Sequence, residues 1–121
     1  MVTLYGIPNC ETVKEARTWL TDHGVNYTFH DFKKQGVPAD QLPRWLAAVG
    51  WQTLVNRKGT TWRKLDEANR ASVVDDASAT ALMLAQPSVI KRPVVVWGNQ
   101  RVTVGFDAVV FESLSCAVNS P

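Results

Sequence analysis

An α/β fold built on a mixed sheet follows from three observations on this chain of 121 residues. Two short apolar runs near the N-terminus are joined by an amphipathic stretch of helical period, a connection that makes the first two strands parallel. Two further apolar runs flank a Gly-Asn turn near the C-terminus and pair antiparallel. Between these halves, from Val37 to about Pro87, the pattern is helical in character. The expectation is a mixed four-stranded sheet flanked by helices, its halves at about 1–33 and 88–117, with an inserted helical subdomain at about 37–87.

The first strand is Val2-Thr3-Leu4-Tyr5, a β-branched and aromatic run that stops at the breakers Gly6 and Pro8. From Cys10 onward Val13, Ala16, Trp19 and Leu20 recur at helical spacing, with Glu11, Lys14, Glu15, Arg17 and Thr18 between them. Asp22-His23-Gly24 closes that helix, the glycine being suited to a left-handed stop. Val25 to His30 then alternates as a half-buried strand does. In the insert, Pro38-Ala39-Asp40-Gln41-Leu42 opens a helix that carries Trp45, Leu46 and Val49 to Gly50. Asp75-Asp76-Ala77 opens another, which runs through Ala81, Leu82, Met83 and Leu84 to Pro87. Between them, Trp51 to Asn69 mixes short apolar groups with Arg57, Lys58, Arg63 and Lys64, and Gly59-Thr60-Thr61 reads as a helix start. Trp45, Trp51 and Trp62 are assigned to core rather than to a stacking platform. Lys91 to Trp97 is a strand entered through Pro93, Gly98-Asn99 is its turn, and Arg101 to Gly105 is its partner. Asp107 caps a last helix whose Val110, Phe111 and Leu114 face the sheet, and only the final few residues are expected to be loose.

Charge and cysteine content exclude several classes of function. Thirteen Lys and Arg stand against eleven Asp and Glu, a formal net charge of +2. No basic run or stripe of the kind that coats nucleic acid is present. Cys10 and Cys116 are the two cysteines, nearly a chain length apart, and they make neither a metal-ligand cluster nor a disulfide framework. That usage fits a reducing compartment. There is no secretory segment ahead of the first strand, and no run reaches the ~20 apolar residues of a membrane span, so a cytoplasmic location is expected.

Cys10 is the residue with the most chemistry around it, because it stands where strand and turn give way to a helix. A cysteine there faces backbone N–H groups without partners and the positive end of the helix dipole. Both favour the thiolate, the nucleophilic form. A free cysteine elsewhere is usually a small buried apolar residue, and its strand-turn-helix setting is what separates this one. Asn9 reads as the helix cap, or as a residue that orients the loop. Thr12 has a hydroxyl within reach of the thiolate or of its own backbone. Cys116, to resolve a disulfide with Cys10, would need its Cα within ~7 Å, and filler or an incidental thiol is the preferred reading. His23 follows a helix end and His30 ends a strand, neither with a partner at catalytic spacing.

A strand-helix-strand half followed by a strand-strand-helix half, with an X-Pro entering the third strand opposite an N-terminal cysteine, is the thioredoxin arrangement. The segments Thr3-Leu4-Tyr5-Gly6-Ile7-Pro8-Asn9-Cys10, Gly59-Thr60-Thr61-Trp62-Arg63-Lys64-Leu65 and Ile90-Lys91-Arg92-Pro93 resemble the arsenate reductase (ArsC) family. Within it the chain is most similar to the YffB-like subgroup, with the Spx/MgsR regulators as further relatives, and the likeness covers nearly the whole length. The resemblance implies a thioredoxin-like fold, a cis Pro93, and Cys10 as the nucleophile towards arsenate or a disulfide sulfur. Arginines from the insert and from the loop before the third strand would hold the anion. Arg92 matches the arginine before the cis-proline. Arg57 stands at the insert arginine or one position from it, since Leu54-Val55-Asn56-Arg57 can shift by one. A third family arginine has no counterpart, because its place reads Val104-Gly105 and Arg101 comes too early. The family histidine before the cysteine is replaced by Gly6.

These departures move the expectation from arsenate towards glutathione. Arsenate carries more than one charge and each arginine fork supplies one charge-assisted pair of bonds, whereas two arginines serve a glutathione carboxylate as readily. In Cys10-Glu11-Thr12-Val13 a valine takes the place of the second cysteine of the redox-sensing relatives, so this site is monothiol. The resemblance therefore implies a glutathione-linked thiol reductase that works by thiol–disulfide exchange at Cys10. Arg92, Arg57, Pro93, Asn9 and Thr12 form the binding site, glutathione is the co-substrate, and no metal takes part. The alternative is an Spx-like non-enzymatic regulator or protein-binding scaffold that docks on RNA polymerase. Expected partners are glutathione or another small thiol or oxyanion, with a protein partner left open, no direct nucleic-acid contact and no membrane. A monomer is expected.

Overall fold

The computed structural model describes residues 2–98 and 101–119, with side chains as far as residue 115. In chain order the elements are β1 (Val2–Gly6), α1 (Glu11–Asp22), β2 (Tyr27–Asp31), α2 (Phe32–Gln35), α3 (Leu42–Val49), α4 (Trp51–Leu54), α5 (Thr60–Lys64), α6 (Glu67–Ala71), α7 (Asp76–Ala85), a 3₁₀ turn (Pro87–Val89), β3 (Val94–Val96), β4 (Val102–Val104) and α8 (Ala108–Asn119). They fall into two compact units, Met1–Gly36 with Arg92–Pro121, and Val37–Lys91.

The first unit is a mixed four-stranded sheet in the order β2-β1-β3-β4, flanked by helices in the thioredoxin-like manner. β1 and β2 run parallel from Val2↔Tyr27 to Gly6↔Asp31, while β3 is antiparallel to both β1 and β4, with Tyr5↔Val94 and Val94↔Val104 in register. Alternation along the strands puts Val2, Leu4, Val95 and Trp97 into one core with Val13, Ala16 and Leu20 of α1 and Phe111 and Leu114 of α8. Phe111 is the hub of that core. Trp97, Phe106 and Trp19 meet its ring edge-on at centroid distances of 5.0, 4.9 and 5.6 Å. The one polar atom of Trp97 is satisfied, as Nε1 donates to Thr103 Oγ1 at 3.0 Å.

Several boundaries differ from the sequence expectation, each for a local reason. β2 begins at Tyr27 rather than Val25, because Val25 N donates back to Leu20 O at 2.9 Å and belongs to the turn that leaves α1. α3 starts at Leu42, after a turn closed by Gln41 N on Pro38 O at 2.8 Å, and Pro43 sits in its first turn, where no N–H is needed. Asp107 does cap α8, its Oδ1 accepting from Val109 N and Val110 N at 2.9 and 3.2 Å. Val110 does not face the sheet. It is 39 % exposed, whereas Phe111 and Leu114 are buried. Of the insert tryptophans only Trp45 is fully buried, Trp51 and Trp62 being half-exposed. The expected turn at Gly98-Asn99 and the loose C-terminal residues lie partly outside the described residues.

The second unit consists of α3 to α7 and the 3₁₀ turn. It is closed by the antiparallel bridge Val55↔Ile90, framed by Asn56 N on Val89 O at 2.7 Å and Lys91 N on Leu54 O at 2.8 Å. α7 opens with a capping box in which Asp75 Oδ1 accepts from Ser78 N at 2.9 Å and Ser78 Oγ accepts from Asp75 N at 3.1 Å. Among the described residues no helix is long and apolar enough to cross a membrane.

Candidate functional site

The loop Ile7–Asn9 leads from β1 to Cys10, which is itself the N-cap of α1. Its backbone is extended (φ −101°, ψ 126°) and its carbonyl accepts the first helical bond, from Lys14 N at 2.9 Å. This corrects the assignment of the cap to Asn9. The helix starts one residue later than that cap requires, and Asn9 stands exposed in the turn. An N-cap serine or aspartate would turn its side chain onto the first helical N–H groups, but Cys10 makes no such bond. The thiol is free, half-buried, and packed at the border of the sheet core. Thr12 is half-buried in the first turn of α1. The neighbouring Glu11 carboxylate is drawn to Lys14 Nζ at 3.5 Å.

Gly6 and Val13 set where this loop begins. A Cβ on Gly6 would come within 2.8 Å of Val13 Cγ2, so the absence of a side chain lets α1 close over the end of β1. Val13, at the position of a second redox cysteine, is fully buried and serves packing.

Arg92 and Pro93 belong to the same unit as Cys10. Their peptide bond is cis. Pro93 is buried, its carbonyl accepts from Gly105 N at 2.9 Å, and Val94 follows it directly into β3. Since Tyr5 pairs with Val94, the start of β3 lies at the same sheet end as Gly6, from which the cysteine loop departs. The fold thus gathers Asn9, Cys10, Thr12, Arg92 and Pro93 at one end of the sheet. The half-exposed Arg92 guanidinium has no hydrogen bond or ion pair among the described residues.

Arg57 is in the other unit, exposed, with its guanidinium carbon 5.7 Å from the centroid of the Trp51 ring. It borders a cleft of about 270 Å³ that Lys58 and Lys91 also line. Sequence reading named Lys58 only as part of a polar stretch and Lys91 only as a strand residue. Lys58 could have been found as the neighbour of Arg57, but Lys91 joins the cleft only through the Val55↔Ile90 bridge. The side chain of Cys116 lies outside the described residues. Among the described residues no group of three or more His, Cys, Asp or Glu is placed to hold a metal.

Comparison with known proteins agrees with this geometry. The solved structure of a YffB protein superposes with a TM-score of 0.87 at 51 % identity, covering 94 % of this chain and 98 % of that one. An arsenate reductase (ArsC) related protein from Brucella melitensis gives a TM-score of 0.72 at 54 % identity, covering 93 % and 92 %. An uncharacterized protein of Haemophilus influenzae is 38 % identical over 107 residues, 88 % of this chain and 92 % of its own. The global transcriptional regulator Spx of Streptococcus mutans is 28 % identical over 110 residues, 88 % of this chain and 77 % of its own. The model of the ArsC family matches residues 5–114, nearly the full length, and the chain belongs to that family.

Proposed function

We propose that this protein is a monothiol reductase linked to glutathione, with Cys10 as nucleophile. The observation that carries the reading is a free cysteine at a helix N-cap, its side chain uncommitted to the backbone, at the sheet end where Arg92 and cis Pro93 also stand. Backbone N–H groups of the first turn and the helix dipole favour negative charge at that position. In the first step the Cys10 thiolate attacks the glutathionyl sulfur of a mixed disulfide, forming Cys10–S–S–glutathione and expelling the substrate thiolate. In the second, a glutathione thiolate attacks the glutathionyl sulfur of that adduct, yielding glutathione disulfide and the Cys10 thiolate. Over the cycle one glutathione thiolate is consumed and one substrate thiolate is released, and the single disulfide passes from the substrate–glutathione pair to glutathione disulfide. Arg92 binds a glutathione carboxylate by charge-assisted bonds, and Asn9, Thr12 and Pro93 shape the loop that receives the tripeptide.

The test is the alkylation rate of Cys10 against pH in a Cys116→Ser background, followed by intact mass after exposure to oxidised glutathione. One glutathionyl group on Cys10, absent in Cys10→Ser, is expected. A sluggish thiol that forms no adduct overturns the reading. Arg92→Ala should weaken glutathione binding by about 1.5–3 kcal/mol, and an unchanged affinity removes Arg92 from the site.

The likeness to the regulator Spx favours a second reading, a scaffold that docks on RNA polymerase and needs no thiol chemistry. Capture of polymerase that persists in Cys10→Ser, with no thiol transfer by the unmodified chain, would select it.

A further inference from the structure

We propose that the insert carries a docking surface for a carboxylate-rich segment of a partner protein, centred on the cleft between Arg57, Lys58 and Lys91. The surface is a connected set of cations. Arg63 places Nε and Nη2 on the Lys58 carbonyl at 3.1 and 2.6 Å, which fixes its charge beside Lys58, and Arg70 Nη1 is held on the Arg63 carbonyl at 3.1 Å. Bonds to neutral carbonyls orient a guanidinium and leave its charge uncompensated. None of these five cations has an ion pair among the described residues, where Lys14–Glu11 is the one salt bridge. From residue 41 to 65 the chain holds Arg44, Arg57, Lys58, Arg63 and Lys64 and no Asp or Glu. The next acid, Asp66, has its Oδ1 turned onto Asn69 N at 2.7 Å as a helix cap.

Charge complementarity and size identify the occupant. The cleft, of about 270 Å³, has room for side-chain carboxylates presented by a chain running past. Arg57, its guanidinium carbon 5.7 Å from the Trp51 ring centroid, lines the cleft with the ammonium groups of Lys58 and Lys91, and a guanidinium there can take a carboxylate in bidentate fashion. A nucleic-acid surface is disfavoured, since the whole chain carries only +2 and the cations form one local patch. Opposite charge gathered this way steers association and selects partners.

The inference does not depend on thiol chemistry, so its test uses the full chain with Cys10→Ser. Binding of a fluorescein-labelled Glu-rich decapeptide is followed by anisotropy at low and physiological salt, beside a Lys-rich decapeptide and a single-stranded oligonucleotide of equal negative charge. Arg57 is left intact so that the cleft keeps its guanidinium while the two ammonium groups are removed. The acidic peptide should bind, weaken with salt, and lose roughly tenfold or more in affinity in Lys58→Ala/Lys91→Ala. Lys58→Arg/Lys91→Arg should retain binding. Lys33→Ala/Lys34→Ala, on α2 of the sheet unit, should have no effect. Absence of binding, an equal loss in the α2 variant, or tighter binding of the oligonucleotide than of the peptide would overturn the proposal.

Discussion

The sheet unit and the insert keep their order by different means. In the sheet unit, strands far apart in sequence pair and one ring, Phe111, touches three others, so most of the order rests on long-range burial. In the insert, α4, α5 and α6 are only four or five residues long, far short of the ~12–15 that an isolated helix needs. They are held at their ends by Asp66, by the arginines laid on carbonyls and by the Val55↔Ile90 bridge, and α4 also buries Leu54. The difference matters for chemistry. The proposed nucleophile stands on the unit whose geometry is set by many distant contacts, and the proposed docking surface on the unit built from short local pieces.

The comparison predicts that loss of the aromatic hub is the most damaging change. Phe111→Ala should destabilise the protein by about 3–5 kcal/mol in denaturant unfolding followed by circular dichroism, and a loss under about 1 kcal/mol would show that the hub is replaceable. Next comes the packing of α1 on β1. Gly6→Ala should cost about 1–3 kcal/mol through the contact with Val13, and much less when Val13→Ala is already present. Additive effects of the two substitutions would mean that the clash does not set the helix position.

The smallest effect belongs to a cap in the insert. The backbone N–H and then the hydroxyl of Ser78 lower the pKa of Asp75 from the ordinary carboxylate value. A carboxylate depressed in the folded state contributes stability above its unfolded pKa, about 4, and loses it as pH falls through the folded value. Asp75→Asn should therefore flatten the acid side of the stability curve slightly, between about pH 4 and the folded pKa, while keeping most of the cap at neutral pH. Unfolding midpoints at pH 3 and pH 7 check this, and an identical pH dependence in variant and parent would remove Asp75 from the account.

Much of the candidate site was legible because its determinants are local. A strand that ends in Gly6 and Pro8, followed by a helical period, announces a cysteine at a helix start, and the segments around Cys10 and Pro93 resemble a known family. The identity of the cap was not legible. Asn9 is by far the better capping residue, yet the φ and ψ of Cys10 and the packing of Val13 on Gly6 place the first turn one residue on. Val110 was misassigned for a related reason. Val110, Phe111 and Leu114 fit one apolar stripe by spacing alone, but the stripe is centred on Phe111 and Leu114, and the contacts of Phe111 with Trp97 and Trp19 leave Val110 at its exposed edge.

By itself, then, the sequence determined the order of the strands and main helices and the parallel and antiparallel sense of their pairing, and its resemblance to the family implied the cis Pro93 that the structure holds. Each of these is encoded in spacing along a few consecutive residues or in a short motif. Tertiary structure decided which residues separated in sequence come together. Arg92 shares a sheet end with Cys10 because Tyr5 pairs with Val94, and Lys91 joins Lys58 in one cleft because Val55 bridges Ile90. Such neighbours are set by strand register and by hydrogen bonds between distant backbones, which no local pattern along the chain records.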